Sequence, residues 1–194
     1  MTRRVGTLLT VLMALLAVCG CDPLGKPSLE PSFGIRVAEG KLQIWFGSAC
    51  DGTTGVDLTF DMSKDNEAAL QLRTPVTALK QTSPSGRQEP VEGPDPGVAV
   101  EYITIGGPYP GLEVTKALPP GFHWQRMTSL FVGIEGPPVA WGTTSDLTKV
   151  LAESAQHSPD TYWFQGVGWL APADVAAQSG KTFLTLCTPD PSTR

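Results

Sequence analysis

The chain carries two imidazoles, His123 and His157, and imidazole is the side chain best suited to moving protons near neutral pH. His123 stands in Phe122-His123-Trp124, which reads as strand. His157 precedes Ser158-Pro159, which reads as loop. Neither has a nucleophile or a carboxylate at a recognisable spacing. Past the first twenty residues there is no Gly-x-Ser-x-Gly elbow, no His-Glu-x-x-His, no Ser-x-x-Lys and no phosphate-binding loop. Both histidines therefore read as solvated or hydrogen-bonded side chains, and the chain is not expected to be an enzyme. The residual catalytic alternative is a hydrolase built on carboxylates such as Asp57 or Asp61, which no motif flags.

Two further patterns have chemical content. Gly166-Val167-Gly168-Trp169-Leu170-Ala171 fits a dinucleotide fingerprint, with Asp190 at about the distance of a ribose-binding acid. The helical stretch behind it is barely two turns and opens on Pro172, so the glycines are expected to bend a strand and no cofactor is expected. Asp61, Asp65, Asn66 and Glu67 form an acidic turn with the hard oxygen ligands that Ca²⁺ favours. The turn lacks the Asp-x-Asp-x-Asp-Gly order, so it reads as a solvated connection and no metal is expected.

Aromatic residues are the most suggestive feature. Trp124, Trp141, Trp163 and Trp169, with Tyr109, Tyr162 and Phe164, crowd the C-terminal half. On one face they would form a platform for sugars or an apolar groove for a lipid or peptide; turned inward they are core. Trp45 is a separate case. Alternation places it beside Lys41 and Gln43 on the face expected to be wet, which fits a partner site or a second layer packed over it. Trp45, Trp124, Trp141, Trp163 and Trp169 are the candidate ligand-facing residues.

The elements that must position these residues are mostly strands. Phe33, Ile35 and Val37 alternate with smaller or polar neighbours, Glu39-Gly40 marks a turn, and Leu42, Ile44 and Phe46 alternate again, which reads as a hairpin. Val56, Leu58, Phe60 and Met62 interleave with Asp57, Thr59 and Asp61 as a half-buried strand. Further runs lie at 70–72, 76–79, 98–105, 112–114, 130–134, 162–167 and 183–186. Leu147, Val150 and Leu151 stand at helical spacing behind Ser145-Asp146, and 172–180 places Pro near a helix start and Gly past its end. Residues 83–97, rich in Pro and Gly, read as a long loop. The 21 glycines and 18 prolines agree with many turns. The expected fold is mainly β, an antiparallel β-sandwich, Ig-like or related, with one or two short helices.

The N-terminus supplies an address. Arg3 and Arg4 precede an apolar stretch from Val5 to Val18, too short for a comfortable membrane span and ordered like an export signal. Val18-Cys19-Gly20-Cys21 resembles the lipobox of bacterial lipoprotein precursors: a branched aliphatic, a tolerant position, Gly, then Cys. The resemblance covers the signal and the first mature residue. It implies cleavage before Cys21, a diacylglycerol thioether on that sulfur and palmitate-type acylation, hence a lipid anchor in the cell membrane with the domain facing outside the cytoplasm. Two or three acyl chains hold a protein firmly where one is marginal. The twin arginines also leave the twin-arginine export route open beside the general one.

On that reading residues 1–20 are a signal peptide, 21–32 a polar tether broken by Pro23, Pro27 and Pro31, and 33–194 one β-rich domain. Cys50 and Cys187 are the cysteines left over, in a compartment where thiols tend to be oxidised. They are expected to form a disulfide, with free thiols or a metal pair as the competing reading. Setting aside Arg3 and Arg4 from the 14 basic residues leaves 12 against 19 acidic ones, a mature net charge of −7. Phosphate binding needs a basic face and none is visible in the sequence, so nucleic acid is not an expected partner. The expected function is a lipid-anchored, non-catalytic binding or interaction module of the cell envelope, meeting the membrane through Cys21 and an envelope protein, glycan or lipid through the domain. An envelope hydrolase and a structural accessory subunit are the alternatives.

Overall fold

A computed structural model describes residues 26–61, 67–75, 79–82, 88–91 and 97–193. The signal peptide, Cys21 and most of the acidic turn after Asp61 fall outside these residues.

The first hairpin follows from its alternation. β1 (Gly34–Ala38) and β2 (Lys41–Thr53) pair antiparallel, with Ala38 opposite Lys41. Glu39 and Gly40 between them have φ of 52° and 73°, the two-residue turn whose twist matches that of the strands it joins. Thr54 alone separates β2 from β3 (Gly55–Phe60). Bulges in the β2 register on either side of Cys50 bend the strand there, as bulges do at sheet corners.

β4 is Ala68–Arg73, β5 Leu79–Thr82, β6 Gln88–Val91, β7 Val98–Thr104 and β8 Glu113–Lys116. β9 is Ser129–Glu135, β10 Thr143–Asp146, β11 Tyr162–Phe164 and β12 Gly168–Leu170. Two five-stranded antiparallel sheets result: β12-β11-β1-β2-β7, called here the first sheet, and β10-β9-β3-β4-β8, the second. β5 and β6 form a separate two-stranded ladder. The protein is an antiparallel β-sandwich.

The sheets meet through alternate residues. Ile35, Leu42, Ile44, Phe46, Val100 and Ile103 come from the first sheet, and Val56, Leu58, Phe60, Leu70, Leu72, Leu130 and Val132 from the second. Each Leu, Ile or Phe fully buried in this way contributes about 1.5–3 kcal/mol of transfer free energy.

Two short helices pack against the sheets. α1 (Leu147–Glu153) starts where Asp146 accepts the Thr148 backbone N–H at 2.7 Å, and turns Leu147 and Val150 into the core. α2 (Pro172–Gln178) opens on Pro172, and the Asp174 carboxylate accepts the Ala171 N–H at 3.2 Å. The fingerprint glycines Gly166 and Gly168, with φ of 76° and 129°, turn β11 into β12, so that motif is a tight hairpin.

Several expectations meet a different local structure. Phe183 to Leu186, read as a strand, makes only isolated bridges. It is an extended strap whose Phe183, Leu184 and Leu186 are all buried. The strap is held by Leu184 N–H to Glu30 O (3.1 Å), Ser32 N–H to Leu184 O (2.8 Å) and Trp141 N–H to Leu186 O (2.9 Å). Phe122 to Trp124, read as strand, leads instead into a 3-10 turn, Trp124–Arg126. The expected loop 83–97 contains β6, and the expected run 76–79 enters the described residues only at Leu79, where β5 begins.

Candidate functional site

The outer face of the first sheet is built by register. Row by row, Phe164, Gly34, Trp45 and Tyr102 lie side by side, and Arg36 lies opposite Gln43, itself opposite Thr104. One half of the face is roofed: α2 and the strap lay Val175 and Phe183 on Trp45 and Phe164. The other half carries Tyr102, which is 47% exposed.

Gly34 makes the aromatic part possible. A Cβ there would stand 2.8 Å from Tyr162 Cβ and 2.9 Å from the Phe164 ring, closer than carbon atoms tolerate. Without that carbon the rings close over the backbone. Trp45 lies 5.2 Å from Tyr162 and 5.7 Å, edge-on, from Phe164, and Tyr102 stacks nearly parallel to it at 6.0 Å. The Trp45 Nε1–H donates to Glu101 Oε1 at 3.1 Å. Trp45 is thus a covered residue, and the wet face suggested by Lys41 and Gln43 is a second, smaller apolar layer. The exposed ring above it is Tyr102, a residue that alternation alone did not single out. Partial burial, then the negative charge of Glu101, push the Tyr102 phenol up to about 12; burial likewise raises that of Tyr162.

Arg36 completes the face. It is 7% exposed, its Cζ lies 5.7 Å from the Tyr162 ring centroid, and its Nε and Nη1 are buried without hydrogen-bond partners. Arg36 lines a groove of about 510 Å³ with Glu39, Gln43, Ser154, His157 and Pro159.

The other candidate tryptophans lie elsewhere. Trp124 is in the main core. Trp141 is buried, and its Nε1–H donates to Thr188 O at 2.8 Å, pinning the strap. Trp163 packs partly against the core under Lys149, whose Nζ lies 4.2 Å from the ring centroid. Trp169 is half-buried, donates from Nε1 to Glu153 Oε2 at 3.0 Å and stacks on His157 at 4.2 Å.

Among the described residues, those with catalytic potential lie apart, save that His157 Nε2 stands 3.9 Å from Glu153 Oε2. His157 borders the Arg36 groove, whereas His123 lines a different hollow of about 580 Å³ with Asp61, Arg126 and Thr128. Asp57 is gripped by Arg73, at 2.9 and 3.2 Å, and Arg73 also reaches Glu135 at 3.0 Å. Asp61, buried, accepts the backbone N–H groups of Thr128 and Ser129 at 2.8 and 2.9 Å and both their hydroxyls. Asp190 accepts the Ser28 N–H and hydroxyl and the Ser192 N–H, which hold its carboxyl well below the usual range. It ties the two ends of the domain together. Cys50 and Cys187 form a disulfide with Cα atoms 5.5 Å apart. Among the described residues no cluster of metal-ligating side chains occurs, and no helix is long and apolar enough to cross a membrane.

Fold and site together define a disulfide-linked β-sandwich with an aromatic patch and a buried guanidinium on one sheet face. Compared with protein-family models, curated proteins and solved structures, the chain matches none.

Proposed function

We propose that this chain is a lipid-anchored lipoprotein of the cell envelope, acylated on Cys21, whose sandwich is a non-catalytic module that binds a glycan on the outer face of the first sheet. The observation that carries the reading is Tyr102, a half-exposed ring lying parallel on a buried tryptophan, on the half of the face that α2 and the strap leave open. A flat, rigid aromatic surface flanked by Gln43 and Thr104 offers a sugar ring both a stacking face and hydrogen-bonding partners. The lipobox resemblance supports the address, and the disulfide agrees with an oxidising compartment. Asp57 and Asp61, the carboxylates of the hydrolase alternative, are both committed to structural partners.

The test has two arms. In cells fed radiolabelled palmitate, the full chain incorporates label and Cys21→Ala does not. Purified cell-wall glycan fragments quench the tryptophan fluorescence of the full chain, and Tyr102→Ala weakens that binding at least tenfold. Label retained by Cys21→Ala refutes the anchor; quenching unchanged in Tyr102→Ala refutes the binding face.

A further inference from the structure

A guanidinium stays protonated at every physiological pH and has only donors to offer. Buried charges are ordinarily paired, and buried donors ordinarily find acceptors. Arg36 departs from both rules: more than nine-tenths buried, it leaves Nε and Nη1 unmatched and almost without accessible surface, while the residue itself lines an open groove. The Tyr162 ring offers it a π-face at 5.7 Å but no hydrogen-bond acceptor. Ser154 is already engaged, its hydroxyl donating to Val150 O and accepting the Val37 N–H. Asp160 lies near enough to feel the positive charge of Arg36, yet makes no ion pair with it, and its carboxylate accepts from the Ser158 hydroxyl.

We infer that the Arg36 groove receives a single carboxylate carried on a sugar ring, so that the glycan of the proposed binding face is an acidic one. The inference rests on that reading of the face. Tyr162 links the two parts, lying 6.3 Å from Tyr102 on one side and 5.7 Å from Arg36 on the other. A ring stacked at Tyr102 and a carboxylate at Arg36 therefore belong to one ligand footprint. The charge balance selects the anion. One guanidinium calls for one negative charge, and the carboxylates of Glu39, in the groove wall, and Asp160, nearby, repel a dianionic phosphate more strongly than a monoanion. Arg36 thus has no anionic partner in the free protein, at a cost in stability that the charge of a bound carboxylate offsets.

The experiment follows the Arg36 Nε–Hε resonance of the ¹⁵N-labelled full chain in detergent micelles during titration with methyl glucuronide, methyl glucoside, inorganic phosphate and trialanine. Glucuronide is expected to shift the resonance saturably, at least tenfold more tightly than the other three. Arg36→Met is expected to lose that discrimination and to melt no lower than the parent. Equal binding of phosphate or trialanine, glucuronide affinity retained by Arg36→Met, or a melting temperature lowered or a fold lost in that variant overturns the inference, the last by making the guanidinium structural. If both sugars perturb Tyr102 equally, the carboxylate inference falls while the glycan-binding face stands; if neither sugar binds, both fall.

Discussion

Removing the disulfide, by Cys50→Ala with Cys187→Ala, tests how the domain is held together. The bridge spans 137 residues of sequence, nearly the whole domain. In the chain-entropy account, closing a loop of that length lowers the entropy of the unfolded chain enough to stabilise the fold by about 5 kcal/mol. Domains of this size have about 5–15 kcal/mol in total, so the bridge accounts for about a third or more of the domain's stability. With an unfolding entropy of about 2.1 cal/mol/K per residue over roughly 160 residues, 5 kcal/mol corresponds to a fall of about 15 °C in Tm. Calorimetry of the parent, the double variant and the parent under reductant reads this directly, and the last two should coincide. The account also places the effect in the unfolded state. Native-state protection of the Leu184 and Leu186 amides, bonded to Glu30 O and Phe46 O, should then fall only by the loss in global stability. A Tm loss under about 4 °C, or selective deprotection of the strap with the sandwich melting unchanged, refutes the reasoning and makes the bridge a local clip.

Gly34→Ala places a carbon within 3 Å of Tyr162 and Phe164 and should cost about 1–3 kcal/mol, the usual price of overpacking, measured as a lower urea midpoint with unchanged slope. Asp61→Ala strips two backbone N–H groups and two hydroxyls of a buried acceptor and should destabilise by about 2–3 kcal/mol. Asp57→Ala, losing a partly exposed ion pair, should cost about 1 kcal/mol or less; the reverse order in urea titrations contradicts the burial argument. Because Ser28 and Ser192 depress the Asp190 carboxyl, its contribution is fully present above the ordinary carboxylate value of about 4 and is lost as pH falls below it. Hydrogen exchange at the Ser28 amide should accelerate on acidification, relative to rates for the unstructured chain, and should be already fast and pH-independent in Asp190→Ala.

The legible parts of the fold were those where one period or one residue type decides. The hairpin of β1 and β2 is visible because alternation on both sides converges on Glu39-Gly40, and β3 because Asp57 and Thr59 interleave with Val56, Leu58 and Phe60. Asp146 and Pro172 mark helix starts by chemistry that is local. The pairing of Cys50 with Cys187 follows from a small set of alternatives. The strap was misread because an extended segment buried on both sides has the composition of a central strand, and only its partners distinguish the two. β10 (Thr143–Asp146) has no apolar alternation to announce it. Arg36 was illegible for a different reason: a charged residue on the polar phase of a strand reads as solvated. The ring that lies over it is Tyr162, a residue about 125 positions away that sequence patterning does not bring to it. A faint signal existed in the hairpin register, which sets Arg36 one step from Trp45 on the same face.

The hold of Asp190 on Ser28 fixes where the chain leaves the domain. On the proposed acylation of Cys21, seven residues separate the lipid from that clamp, a leash of about 25 Å at full stretch. A sandwich of roughly 160 residues is itself about 40 Å across. On that proposal its working radius is some 65 Å from the bilayer at most, which confines its encounters to a thin shell around its own anchor.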